Sequence, residues 1–407
     1  MQVDKVLFQI IIEVIYGIRR GNMGGANKKK KPVWQQQLMI GIFMLIGGCC
    51  GFLIGMHMGT VISDEAATGE RILSMLVLVI GMYAAIFFQL VIHEAGHLVF
   101  GLLTGYRFSS FRIGSFMWVK DGELIRMKRM SLAGTGGQCL MGPPDWKDET
   151  FPVVLYNLGG CLMNLIGSLI FFLLAWAAGK MSLTGMVFLI FASVGLFIGA
   201  MNGIPLRLGL VDNDGYNALS MTKNREARRA FWLQMKMNEQ IAAGVRLKDM
   251  PGEWFAMPGE TAMKNSMAAS IAVFACNRLM DEKNFDQAGK EMKRLLEMDS
   301  AIVGVHRNLM VCDCMYLEMI GENRREVIDE MFDQNQKTFM KSMKRFPSVI
   351  RTEYLYALLV QTDETKAEEW KKQFEECART YPYPSDIESE RELISIAIRK
   401  REAQMQE

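Results

Sequence analysis

The sequence predicts an all-α multi-pass membrane protein of about four transmembrane helices, with a small cytoplasmic β-hairpin element and an α-helical C-terminal soluble domain. Three observations predict it. The 407-residue chain is 50% hydrophobic yet 22% charged, and the two properties are segregated, with long apolar runs ending near residue 210 and none beyond. Within the connection between the second and third runs, two short β-prone stretches flank Asp121-Gly122, a strong hairpin signal. After residue 222 the pattern becomes one of amphipathic helices divided by turn residues. The expected parts are therefore a basic N-terminal segment over 1–36, a membrane core over 37–222 and a helical domain over 223–407.

The N-terminal stretch Val6 to Ile18 is short and carries Glu13, and Arg19, Arg20 and Lys28 to Lys31 follow it in place of a cleavage site. It is expected to be an amphipathic helix lying on the membrane. Four runs are long enough to cross a bilayer: Leu38 to Gly59, Ile72 to Thr104, Pro152 to Gly179 and Ser182 to Gly203. Basic residues collect before the first run and between the second and third, where Arg107, Arg112, Lys120, Arg126, Lys128 and Arg129 lie. The first external loop instead holds Asp64, Glu65 and Glu70 with only Arg71. That bias predicts cytoplasmic N- and C-termini in a cell membrane. Glycines every fourth position, Gly47 to Gly59 and Gly195 to Gly203, predict close packing between helices. The β element is expected from Phe111 to Val119 and Leu124 to Met130, joined through Lys120 to Glu123.

Composition also excludes. A formal net charge of +2, with no basic block interleaved with aromatics, argues against a nucleic-acid partner. The eight cysteines are scattered without paired CxxC knuckles, which fits a reducing setting better than a disulfide framework.

The second run carries the chemistry, in the segment His93-Glu94-Ala95-Gly96-His97. Two histidines four apart project from one helix face and can bind a single zinc ion through neutral imidazoles. Zinc lowers the pKa of a bound water to about 7, and the neighbouring Glu94 can take its proton as the water attacks a peptide carbonyl. Ionisable groups inside a span are costly and usually mark a functional site. A catalytic zinc needs a third protein ligand, and Asp212 and Asp214 follow closely on the fourth run. From Ile72 to His93 is roughly 30 Å of helix, which places the metal toward the cytoplasmic face, where those carboxylates also emerge.

Taken together these residues resemble the site-2 protease family of intramembrane metalloproteases. His93 to His97 match its HExxH motif, Asn202-x-x-Pro205 followed by Asp214-Gly215 resembles its NPDG motif, and Gly160 to Asn164 is similar to its glycine-rich stretch ending in asparagine. The resemblance spans about Ile72 to Gly215. It implies zinc held by His93, His97 and Asp214, Glu94 as general base, and Asn164 and Asn202 against the substrate backbone or oxyanion. The gap between Pro205 and Asp214 is longer than the family's, so Asp212 stays open as an alternative ligand, with Asp214 preferred because Gly215 follows it.

Beyond Asn224 the helices are expected to break at Pro251-Gly252, Asp299-Ser300, Gly321 to Asn323, Phe346-Pro347 and Tyr381 to Pro384. Asn284 to Ala288 resembles a tetratricopeptide helix turn, but the repeat is not sustained. Cys312 and Cys314 read as packing residues, and His57 and His306 as isolated histidines. The expected activity is hydrolysis of a membrane-spanning helix or small membrane peptide, with a cytoplasmic protein as a further partner of the C-terminal helices. The alternative is a zinc-binding membrane scaffold that presents those helices without cutting anything.

Overall fold

The structure, a computed structural model, describes residues 67–130, 136–179, 182–205, 212–222 and 224–404, with scattered helical positions between 41 and 59. The expected N-terminal segment over 1–36 with its helix from Val6 to Ile18, His57 and most of the first expected span lie outside the described residues. Among the described residues the chain is mostly helical with one small antiparallel sheet.

Helices α1 (Thr68–Leu103), α2 (Val154–Ala177) and α3 (Leu183–Gly203) pack on one another. Each is long and apolar enough to cross a membrane. Their packing is inside out relative to a soluble bundle. Large apolar side chains such as Ile80, Phe87, Leu169, Leu173 and Trp176 are exposed, while Gln89, His93, Asn164, Ser168 and glycines such as Gly96 and Gly159 are buried. An apolar exterior around a small and polar interior is what lipid, not water, stabilises. At 36 residues α1 is about 54 Å long, well beyond the roughly 30 Å of hydrocarbon.

After α1 the chain forms strands β1 (Arg107–Ile113), β2 (Phe116–Asp121), β3 (Leu124–Arg129) and β4 (Gly137–Gly142) in the spatial order β3-β2-β1-β4. The expected hairpin turn is present, with Gly122 at φ +63° between β2 and β3. The expected single strand from Phe111 to Val119 is instead two, because Gly114 at φ +59° turns the chain back on itself. The expected two-stranded element is therefore a four-stranded sheet. Its β1 and β2 are interior strands, and β3 and β4 are its edges.

The sheet lies between α1 and part of the C-terminal region, while Phe231 beyond it meets Tyr156 of α2 directly. On one face, alternate residues of β4 run beside α1: a side chain at Gly137 would meet Glu94, and Met141 lies against Gly101. On the other, Ser110 and Arg112 of β1 stand opposite Val119 and Met117 of β2, and the latter pair packs against Ile350, Phe374, Tyr381, Tyr383 and Ile387.

Helix α4 (Asp214–Thr222) returns the chain to the bundle, and α5 (Arg225–Ala242) lies against β4. There follow short 3-10 turns over Leu247–Asp249, Gly252–Phe255 and Ala262–Lys264, then α6 (Ser266–Asp281) and α7 (Phe285–Glu297). The remaining helices are α8 (Gly304–Ile320), α9 (Arg325–Met331), α10 (Gln334–Ser342), α11 (Pro347–Leu355), α12 (Glu364–Thr380) and α13 (Pro384–Gln404). The expected breaks fall between these α-helices, with Pro347 and Pro384 as the first residues of α11 and α13. The turn around Asn284 joins α6 to α7 as a helical hairpin.

Buried ion pairs tie these helices together. Arg246 bonds both Asp281 of α6 and Glu392 of α13, while Arg351 of α11 reaches Asp313 of α8 at 2.7 Å and Glu390 of α13 at 2.9 Å. Cys312 is buried, Cys314 partly so, and His306 lies on α8 within this region.

Candidate metal centre

One turn of α1 sets His93 and His97 on the same side, 3.3 Å apart at Nε2. The third member arrives from α4. Oδ2 of Asp214 stands 3.0 Å from Nε2 of His93 and 3.4 Å from Nε2 of His97. Among the described residues these three make up the one group of His, Cys, Asp or Glu side chains able to hold a metal ion, and Asp212 is not in it.

The outer nitrogens decide what the inner ones can do. Nδ1 of His93 donates to Oδ1 of Asn164 at 2.7 Å, and Nδ1 of His97 donates to the Tyr156 carbonyl at 2.8 Å. Both partners are oxygens that only accept here, so a neutral imidazole in either place carries its proton on Nδ1 and turns the Nε2 lone pair inward. Two lone pairs and a carboxylate oxygen then converge. A proton on one ring could satisfy a single pair, whereas a divalent ion satisfies all three. The separations suit it: donors about 2.0–2.1 Å from a tetrahedral zinc ion lie about 3.3 Å from one another. Burial pushes the Asp214 carboxyl up, but the facing His97 and His93 outweigh it and hold Asp214 well below the usual carboxylate range.

Close packing makes the cluster possible. A β-carbon on Gly160 would come within 2.7 Å of Nε2 of both His93 and His97, so only a glycine leaves the inner side of the cluster open. Gly215 serves close approach too: a β-carbon there would stand 2.1 Å from the Gly203 carbonyl oxygen. The preference for glycine after Asp214 thus rests on contact with the end of α3, with no positive φ involved. Asn213 completes the clamp. Its Oδ1 accepts from the Tyr216 amide at 3.0 Å, and its Nδ2 donates to the Met201 and Ile204 carbonyls at 2.8 and 2.6 Å.

Glu94 is buried next to His93 and packs directly over Gly137 of β4, whose hypothetical β-carbon would lie 2.4 Å from Oε1. Asn164 is fully buried and engaged with His93 on one side and Gln89 on the other. Asn202 stands near the end of α3. Its Nδ2 donates to the Ile198 carbonyl of its own helix at 3.0 Å. Sequence reasoning missed Gln89, Tyr156 and Asn213. Of these, Gln89 had a visible signal, since a carboxamide within an apolar run is itself an exception needing partners.

Compared with known protein families, curated proteins and solved structures, the chain matches none.

Proposed function

We propose that this chain is a zinc-dependent intramembrane endopeptidase, similar to the site-2 protease family, that hydrolyses a membrane-spanning helix or small membrane peptide. In this reading the first expected span joins the three apolar helices to give about four crossings, and both termini are cytoplasmic. The observation that carries the reading is the three-donor cluster, with near-tetrahedral spacing, on the same helix turn as a buried carboxylate.

The roles follow from the donor set. His93, His97 and Asp214 bind the ion. A bound zinc ion supplies Lewis acidity and makes water a nucleophile near neutral pH. Glu94 accepts the water's proton and passes it to the leaving amine. Asn164 orients His93, since both protons of its Nδ2 go to Gln89 and none is left for a substrate. The three apolar helices keep bulk water away, and the edge strand β4, which runs beside Glu94, offers a substrate strand a place to pair.

The test compares membranes carrying the wild-type chain and Glu94→Gln, with zinc content measured in both. The reading expects a membrane peptide that accumulates only in the variant, at unchanged zinc content. Equal peptide profiles with zinc bound would favour the scaffold, and a wild-type chain without zinc would end both.

A further inference from the structure

Gln89 is 0% exposed and sits one helical turn before His93, inside the three-helix bundle. A carboxamide in such a place is tolerated when each of its polar atoms is paired. They are. Nε2 donates to the Phe191 carbonyl of α3 at 2.8 Å, and Oε1 accepts from Nδ2 of Asn164 at 2.9 Å. The main-chain oxygen of Gln89 accepts from the same Nδ2, also at 2.9 Å. Space for this chain is left by Gly195, where a β-carbon would lie 2.5 Å from Nε2 of Gln89.

The direction of these bonds has a chemical result. An amide can present oxygen or nitrogen to a neighbour, and the two ends are nearly the same size. With two acceptors on the Gln89 side, Asn164 must turn its NH2 there and its oxygen toward His93. The oxygen in turn requires a proton on Nδ1 of His93 and frees Nε2. His97 needs no such help, because its Nδ1 bonds a main-chain carbonyl that no side-chain substitution removes.

We infer that Gln89 is a positioning residue which, through Asn164, fixes the tautomer and ring orientation of His93 for metal binding. This rests on the metal-site reading above. Partners of this kind tune affinity by about 10–100-fold.

The experiment uses the full chain in lipid nanodiscs, as wild type, Gln89→Leu and Gln89→Glu. A glutamate held protonated by the apolar bundle can still donate to Phe191 and accept from Asn164, so it should substitute for glutamine. Zinc and cobalt affinities are measured by chelator competition, and histidine tautomers of the metal-free protein by 15N chemical shifts; the chain has only 4 histidines. Gln89→Leu removes one of the two acceptors of Asn164 Nδ2 and leaves the main-chain oxygen, so the amide is held by one bond with its second N–H unpaired; metal binding is expected to weaken about 10-fold and neutral His93 to show some of the other tautomer, with His97 unchanged. Gln89→Glu should stay within about 3-fold of wild type, which simple loss of packing would not explain. Wild-type affinity and a single His93 tautomer in Gln89→Leu would overturn the inference, as would equal losses in both variants. A wild-type chain that binds no metal would end the metal reading, and the tautomer measurement would still decide the relay.

Discussion

Gly96 of α1 and Gly159 of α2 meet backbone to backbone: a β-carbon on Gly96 would lie 2.3 Å from the Gly159 carbonyl oxygen, and one on Gly159 would lie 2.7 Å from that of Gly96. This contact sets the separation of the two helices one position away from both His97 and Gly160. Gly96→Ala is therefore expected to force the helices apart, lowering stability by about 1–3 kcal/mol and weakening zinc binding. Gly69→Ala on the same helix has open space around it and should change neither. Thermal unfolding in detergent and chelator competition on both variants check this.

Removing Asp214 should release the metal, and removing Asp212 should not. Asp214→Ala deletes the oxygen 3.0 Å from Nε2 of His93, whereas Asp212 lies outside the cluster. Asn213→Ala should fall between them, since it unclamps α4 but leaves all three donors in place, with a loss of affinity of about 10–100-fold. Metal analysis of the purified variants ranks the three.

Gly137→Ala distinguishes the proposed base, Glu94, from the proposed metal ligands. The added methyl would push on the Glu94 carboxylate, while His93, His97 and Asp214 lie on other contacts. Zinc content should be unchanged and cleavage reduced, by up to the roughly 10²-fold that the weaker cases of acid-base catalysis supply. Loss of zinc in this variant would mean that β4 supports the ligands as well.

Among the C-terminal helices, stability should decline as pH rises from about 4 to about 7. Burial first, then the charges of Glu390 and Asp281, push the Asp386 carboxyl up to about 7. Burial also raises Glu390 to about 7, with Arg351 opposing and Asp313 adding to it. Carboxyls raised in this way are protonated in the fold at pH values where the unfolded chain has already lost the proton, so the stability they provide below pH 4 is lost by about 7. His306, pushed down to about 4 by burial, acts in the opposite sense below about 6.5. The difference between wild type and the double variant Asp386→Asn, Glu390→Gln isolates the carboxyls. Hydrogen exchange across α11 to α13 at pH 5 and 7 should show a steeper decline for wild type.

Much of the candidate centre was legible because helical spacing alone puts His93 and His97 together, and an apolar run alone marks a long helix. Asp214 was legible only as one of two carboxylates; the choice between them depends on Asn213 and Gly215 meeting the end of α3, contacts that no local pattern announces. Strand β4 was missed because Gly137 to Gly142 is bounded by glycines and shows no alternation of polar and apolar residues. The turn at Gly114 was missed because Phe111 to Val119 is β-prone on both sides of it. Asn202 is expected at the centre on motif likeness, and its Nδ2 donates to the Ile198 carbonyl of its own helix, a matter of rotamer that the sequence does not announce.

The sheet has one further consequence. Its β4 touches Glu94, and its β2 packs with Ile350 of α11 and with Tyr383, which precedes α13. A single layer of strands therefore has Glu94 on one face and C-terminal side chains on the other. A close-packed layer of this kind has little compressibility. Substitutions on either face, at Gly137 or at Met117, thus act on the same four strands.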